Sequence, residues 1–174
     1  EKGTYASSML PYFEKAALAG DPSTASGYST AITNEYIAEM MESYDMEDVR
    51  LKISGGGWSS WMENQLNEGV LYFNYRGIYG VSGFSSGNID NANNGFKLPL
   101  ATIITCGTGS FSQHTTSLSE KFLRAGSISN PKGGIAGIAT ATLNTHTLFN
   151  NIIDMGIYDG IFAKNIETVG GGLA

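Results

Sequence analysis

A chain of 174 residues with a formal net charge of -6, from 10 Lys and Arg against 16 Asp and Glu, has the length for one sizeable core and too little for two ordinary domains. The scarcity of cations argues against nucleic acid and anionic membrane as partners, since both require a basic footprint. No stretch approaches the roughly 18 apolar residues of a membrane span, and no signal peptide with a basic and an apolar region opens the chain. The expectation is one domain over residues 1–174, cut from something larger, because Glu1 is not a Met and Val169-Gly170-Gly171-Gly172-Leu173-Ala174 reads as a frayed or truncated tail.

Lys15-Ala16-Ala17-Leu18-Ala19 closed by Gly20-Asp21-Pro22 predicts a buried strand followed by a loop rich in Ser, Thr and Gly. Ile32, Tyr36, Ile37, Met40, Met41 and Tyr44 recur at helical spacing and predict a helix turning that stripe toward a sheet, with Asn34, Glu35, Glu39 and Glu42 on its polar face. Val49-Arg50-Leu51-Lys52-Ile53 alternates as a strand, Gly55-Gly56-Gly57 breaks it, and a second helix follows over 59–67. Residues 69–75 are nearly all β-formers. Residues 76–97, full of Gly, Ser and Asn, predict a long loop, which in a compact domain marks a functional or mobile segment.

Residues 98–105 form the next apolar strand, which runs straight into Cys106-Gly107-Thr108-Gly109-Ser110. Ser117-Leu118-Ser119-Glu120 fits a capping box opening a short helix that ends near Arg124 and Gly126. Residues 133–140 predict a strand of small side chains. The final helix opens near Asn144 or Thr145 and is expected to turn Leu148, Phe149, Ile152 and Ile153 inward. This alternation predicts an α/β three-layer sandwich, a mostly parallel sheet with helices on both faces. Loops after the strands gather at the carboxyl edge, so the segments beginning at Tyr75, Cys106 and Ala141 should share a crevice.

Cys106 is the single cysteine, so no internal disulfide forms. At a carboxyl edge its thiol is a candidate nucleophile, although a lone Cys also serves as a small buried hydrophobe. Cysteine chemistry needs a base or a positive charge nearby, and the two imidazoles are His114, eight residues further on, and His146, at the start of the final helix. His146 comes within reach of Cys106 if their strands pair. The alternative readings are a helix-start residue bonded to backbone for His146 and a solvent-facing loop residue for His114. Backbone amides at Gly77, Cys106 and Gly107 are candidates for an oxyanion hole. Gly55-Gly56-Gly57-Trp58-Ser59 lacks the Lys of a phosphate loop and is assigned to a turn. Trp58 and Trp61, three apart on a helix, suit the core better than a substrate platform. Asn88, Asp90, Asn91, Asn93, Asn94 and Gly95 are dense in oxygen, yet one carboxylate would hold calcium only weakly, so a polar turn is the simpler reading.

Tyr72-Phe73-Asn74-Tyr75-Arg76-Gly77, Ile103-Ile104-Thr105-Cys106-Gly107-Thr108-Gly109-Ser110-Phe111, Ser119-Glu120-Lys121-Phe122-Leu123 and Gly133-Gly134-Ile135-Ala136-Gly137-Ile138-Ala139-Thr140-Ala141-Thr142 follow one another in order, with the segment Lys15 to Pro22 upstream. Together they resemble the gingipain-type cysteine peptidases of the caspase-like clan. The resemblance implies a caspase-like fold and a thiolate at Cys106 that attacks a peptide bond. In that family a histidine sits in a Tyr-x-Gly-His-Gly turn, whereas this chain has Tyr75-Arg76-Gly77-Ile78-Tyr79-Gly80. His146 is then the substitute proton carrier, with Tyr75, Tyr79 and Thr145 lining the crevice. The alternative is an inactive homologue that binds peptide or protein in the same crevice. Residence outside the cell, secreted or at the surface of a bacterium, and a structural calcium are implied by the resemblance alone. No other cofactor and no metal ligand set is expected, and an exposed sheet edge offers a route to a homo-oligomer.

Overall fold

The computed structural model describes residues 7–22 and 27–173; the loop expected over 23–26 lies outside the described residues. Five strands, β1 (Lys15–Gly20), β2 (Asp48–Lys52), β3 (Tyr72–Arg76), β4 (Leu100–Ile104) and β5 (Ala136–Ala139), form one sheet in the order β2-β1-β3-β4-β5. Every pairing is parallel. The chain runs outward from β1 to β2 and then crosses back to β3. The strand order therefore reverses between β1 and β3, the kind of place where open α/β sheets form a crevice.

Alternation along the strands sorts side chains onto two faces. Ala17, Ala19, Phe73, Tyr75, Ala101 and Ile103 face α2 (Trp58–Glu68), α3 (Ser86–Asp90) and α4 (Leu118–Arg124), and Met62, Leu66, Ile89 and Phe122 complete that core. Phe73 lies 5.7 Å from Phe84 and 5.6 Å from Phe122, ring centroid to centroid, with Trp58 and Trp61 packed at the border. On the opposite face Ala16 and Leu18 meet Ile37, Ala38, Met40 and Met41 of α1 (Tyr28–Ser43) and Tyr158 of α5 (Thr147–Tyr158).

Several local expectations change. The segment expected as one long loop contains α3, whose start is closed by the Asn88 carboxamide accepting the Ser85 N–H at 2.8 Å. Strand β5 is four residues long, because Gly134 and Ile135 are tied to the Phe122 and Pro99 carbonyls before the ladder begins. The glycine tail forms a short helix, α6 (Val169–Gly172), capped by Thr168.

The two helices on the second face are rotated from their predicted orientations. On α1, Ile37, Met40 and Met41 are buried as expected, but Ile32, Tyr36 and Tyr44 are exposed and Asn34 is fully buried. On α5, Leu148, Phe149, Ile152 and Ile153 face solvent, while Asn150, Asn151, Asp154, Ile157 and Tyr158 are buried. The cause is the sheet beneath, which presents Asn74, Arg76 and Thr102 here. A helix must meet buried polar groups with polar partners, and that requirement overrides the apolar stripe.

Candidate active site

β3 ends at Arg76 opposite Ile104, and Ile103 of β4 pairs with Ala139 of β5, so Cys106 leaves the sheet between two neighbours. The chain turns at once through Gly107, whose φ of +75° lies in the left-handed region that favours glycine. A Cβ there would also meet the Leu143 side chain at 2.7 Å. The Gly107 N–H donates to the Thr142 carbonyl at 3.0 Å and the Gly109 N–H to Thr140 at 2.9 Å. These bonds stitch the Cys106 loop to the segment leaving β5.

That stitching places the half-buried Cys106 sulfur against Thr145, 3.2 Å from Oγ1 and 3.9 Å from the carbonyl oxygen. Thr145 Oγ1 accepts an N–H of Asn150 at 2.7 Å, which leaves its own hydrogen available to the sulfur. On its open side Cys106 lines a cavity of about 270 Å³. Gly80 from the loop after β3 and Ser86 at the start of α3 enter it from one side, and Gly107, Thr108, His114 and Thr116 from the loop after β4, with Leu118 at the start of α4, from the other.

The two imidazoles take different positions. His146 is the N-cap of α5: its Nδ1 accepts the Leu148 N–H at 3.2 Å, and its ring rests 5.2 Å from that of Phe149. With Nδ1 accepting, the neutral ring carries its proton on Nε2, so His146 can accept a proton only by giving up the cap. Both hydrogen-bond contacts of the Cys106 sulfur among the described residues go to Thr145, and neither imidazole is bonded to it. His114 stays exposed and shares the Cys106 cavity.

Gly77, which follows β3, is buried, and a Cβ on it would meet the Tyr75 hydroxyl at 2.5 Å. Among the described residues the Gly77 and Cys106 N–H groups have no acceptor, whereas that of Gly107 is committed to Thr142. Tyr75 lies inside the apolar core, with its hydroxyl 2.8 Å from Ser82 Oγ and donating to Asp21 at 3.3 Å. Ser82 also donates to Asp21, and burial pushes the Tyr75 phenol up from its ordinary value. Tyr79 points into solvent and Ile78 occupies the position between it and Gly77. No group of three or more His, Cys, Asp or Glu that could hold a metal occurs among the described residues. Asn94 is spent on backbone, donating to the Lys97 and Gly133 carbonyls and accepting the Gly133 N–H.

Sequence reasoning missed the buried polar cluster beneath the edge. Arg76 is 1% exposed and donates to Asn151 Oδ1 at 2.7 Å, to the Ile104 carbonyl at 3.0 Å, to the Thr147 carbonyl at 2.9 Å and to the Gly77 carbonyl. Burial holds the guanidinium below its ordinary value, opposed by Asp154, Cys106 and Tyr75. Asp154 accepts from Asn74 at 3.1 Å, and desolvation pushes its carboxyl up to about 7. A signal existed: Asp154 stands between Ile152-Ile153 and Met155, and Arg76 closes a strand of β-formers, both unusual places for a charge unless it is partnered.

Residues 5–174 match peptidase family C25. The chain belongs to that family, and its fold is that of a cysteine-peptidase-like domain. The Arg-specific cysteine proteinase gingipain R (RgpB) superposes with a TM-score of 0.78 at 22% identity, over 94% of this chain and 40% of that one. A complex of the pro- and mature domains of Porphyromonas gingivalis RgpB gives 0.67 at 22% identity, over 83% and 35%. A further protease structure gives 0.65 at 16% identity, over 84% and 32%. No curated protein sequence matches the chain. It therefore spans well under half of the peptidase chains it superposes on, and identities this low speak for the caspase-like fold of gingipain.

Proposed function

We propose that this C25 domain acts on peptide or protein substrates in the crevice at the carboxyl edge, with Cys106 as nucleophile and His114 as the proton carrier. The observation that carries this reading is the cavity shared by Cys106 and His114. The sulfur attacks the peptide carbonyl carbon, forming a C–S bond; the C–N bond then breaks as the leaving nitrogen takes a proton, and water hydrolyses the thioester to return the thiol. The N–H groups of Gly77 and Cys106 are free to hold the oxyanion. His146 is assigned to capping α5, on the strength of its bond to Leu148. The chemistry draws on no cofactor. A role outside the cell, by likeness to the gingipain branch, is part of the same proposal, as is self-association through the open edge of β5.

The second reading is a peptidase scaffold that binds peptide without cleaving it. It is favoured by Ile78 standing in the turn where the family's histidine is expected. Incubation with a mixed peptide library, read by mass spectrometry, decides between the two. New termini that vanish in Cys106→Ala and fall roughly 100-fold or more in His114→Ala support the enzyme. Retention of peptides without cleavage leaves the binding module.

A further inference from the structure

We infer that Arg76 is a positioning residue: it clamps the amino end of α5 onto the ends of β3 and β4 and so holds the Thr145 hydroxyl on the Cys106 sulfur. Each backbone oxygen it binds lies close to a member of the site. The Ile104 carbonyl precedes Cys106 by two residues, the Thr147 carbonyl follows Thr145 by two, and the Gly77 carbonyl belongs to a residue whose N–H has no backbone acceptor among the described residues. The fourth acceptor, Asn151 Oδ1, sits one turn further along α5, beside the Asn150 that fixes Thr145 Oγ1.

Stability alone is a poor reason for this residue. Among the described residues no carboxylate lies within ion-pair distance of the guanidinium, so a fully buried cation is held by neutral oxygens, an arrangement that costs more than a packed apolar side chain would. What the guanidinium supplies is a planar fork of donors that reaches three chain segments at once, which a single ammonium cannot do. The inference rests on reading Cys106 as the nucleophile.

The test is a double-mutant cycle on the full chain, with Arg76→Lys and Thr145→Val, singly and together. The readout is the rate of Cys106 alkylation by iodoacetamide against pH, unambiguous because Cys106 is the chain's one cysteine. Each single change is expected to alter the rate at neutral pH roughly three- to tenfold, the worth of one hydrogen bond, and to displace the pH profile in the same direction. In the Arg76→Lys background, Thr145→Val should then have little further effect, because the two act as one unit. Full, additive effects of Thr145→Val in both backgrounds, or an unchanged profile in folded Arg76→Lys, would overturn the clamp. Should Arg76→Lys fail to fold, Asn151→Ala, which removes one acceptor of the fork, takes its place in the cycle with the same two outcomes. Peptide cleavage is measured in parallel: its absence in the parent sinks the peptidase reading, while the clamp is judged on the sulfur alone.

Discussion

The two faces of this sheet solve burial in opposite ways. Toward α2, α3 and α4 the strands present Ala, Phe, Tyr and Ile, and the core closes around three phenylalanines. Toward α1 and α5, β1 still presents Ala16 and Leu18 to an apolar cluster, but β3 and β4 present Asn74, Arg76 and Thr102, answered by Asn34, Asn151, Asp154 and Tyr158. The first arrangement is non-directional and tolerates small shifts, whereas the second fixes distances through hydrogen bonds and leaves Asn74 Oδ1 and Asp154 Oδ1 without a partner among the described residues. The contrast locates the roles: the apolar face holds the domain together, and the polar face aims the amino end of α5 at Cys106.

The largest break should come on the apolar face. Phe122→Ala empties a fully buried ring site between Phe73 and Phe84 and is expected to cost about 3–5 kcal/mol in urea unfolding. The Cys106 alkylation profile of the protein that remains folded should stay as in the parent. Asp154 tests the polar face through pH. Its carboxyl is raised from 3.8 to about 7 in the folded chain, so the folded state binds the proton more tightly than the unfolded one. The resulting stability is fully present below about pH 4 and is lost as pH rises through about 7, a swing on the order of 4 kcal/mol. Asp154→Asn keeps the shape of the protonated acid and should flatten this dependence, with the parent and the variant converging at acid pH in denaturant titrations from pH 4 to 8. Parallel curves at every pH would remove Asp154 from the account.

The sheet was legible in the sequence because its signals are redundant: apolar runs such as Ala16 to Ala19 and Leu100 to Ile104 end at glycine or at a turn, and parallel order follows from the alternation of elements. The place of Cys106 at the carboxyl edge followed from the same rule. Helix faces were less legible. An apolar stripe such as Leu148, Phe149, Ile152 and Ile153 points inward only if the surface beneath it is apolar, and the polarity of that surface depends on Asn74 and Arg76, seventy residues away. The local bond made by His146 was hidden for a similar reason. Topology carried it to the right edge, but one local bond, Leu148 N–H to Nδ1, turns its ring to the helix end, while Thr145, its chain neighbour, meets the sulfur.

Smaller effects sharpen the comparison at two helix starts, one on each face. On the apolar face α4 opens with Ser117, whose Oγ accepts the Glu120 N–H at 3.3 Å while the Glu120 carboxylate accepts the Ser117 N–H at 3.3 Å. The carboxylate is also held below its usual range by Arg124. Ser117→Ala should cost about 1 kcal/mol by urea titration, with no change at Cys106.

On the polar face α5 opens with His146, and here the cap and the proton-carrier role expected of it from the sequence compete for one ring nitrogen. An asparagine caps at least as well, because its side-chain oxygen accepts the same N–H without carrying a tautomer. His146→Asn is therefore expected to leave stability within about 0.5 kcal/mol of the parent or slightly above it. Because the cap is kept, Thr145 stays on the sulfur and the pH profile of Cys106 alkylation should not move, whereas His114→Ala should displace it. A profile that moves with His146→Asn and ignores His114→Ala would mean that the ring leaves its cap to serve Cys106. The proton carrier would then come from the polar face, and the shared cavity would cease to be the observation on which the mechanism stands.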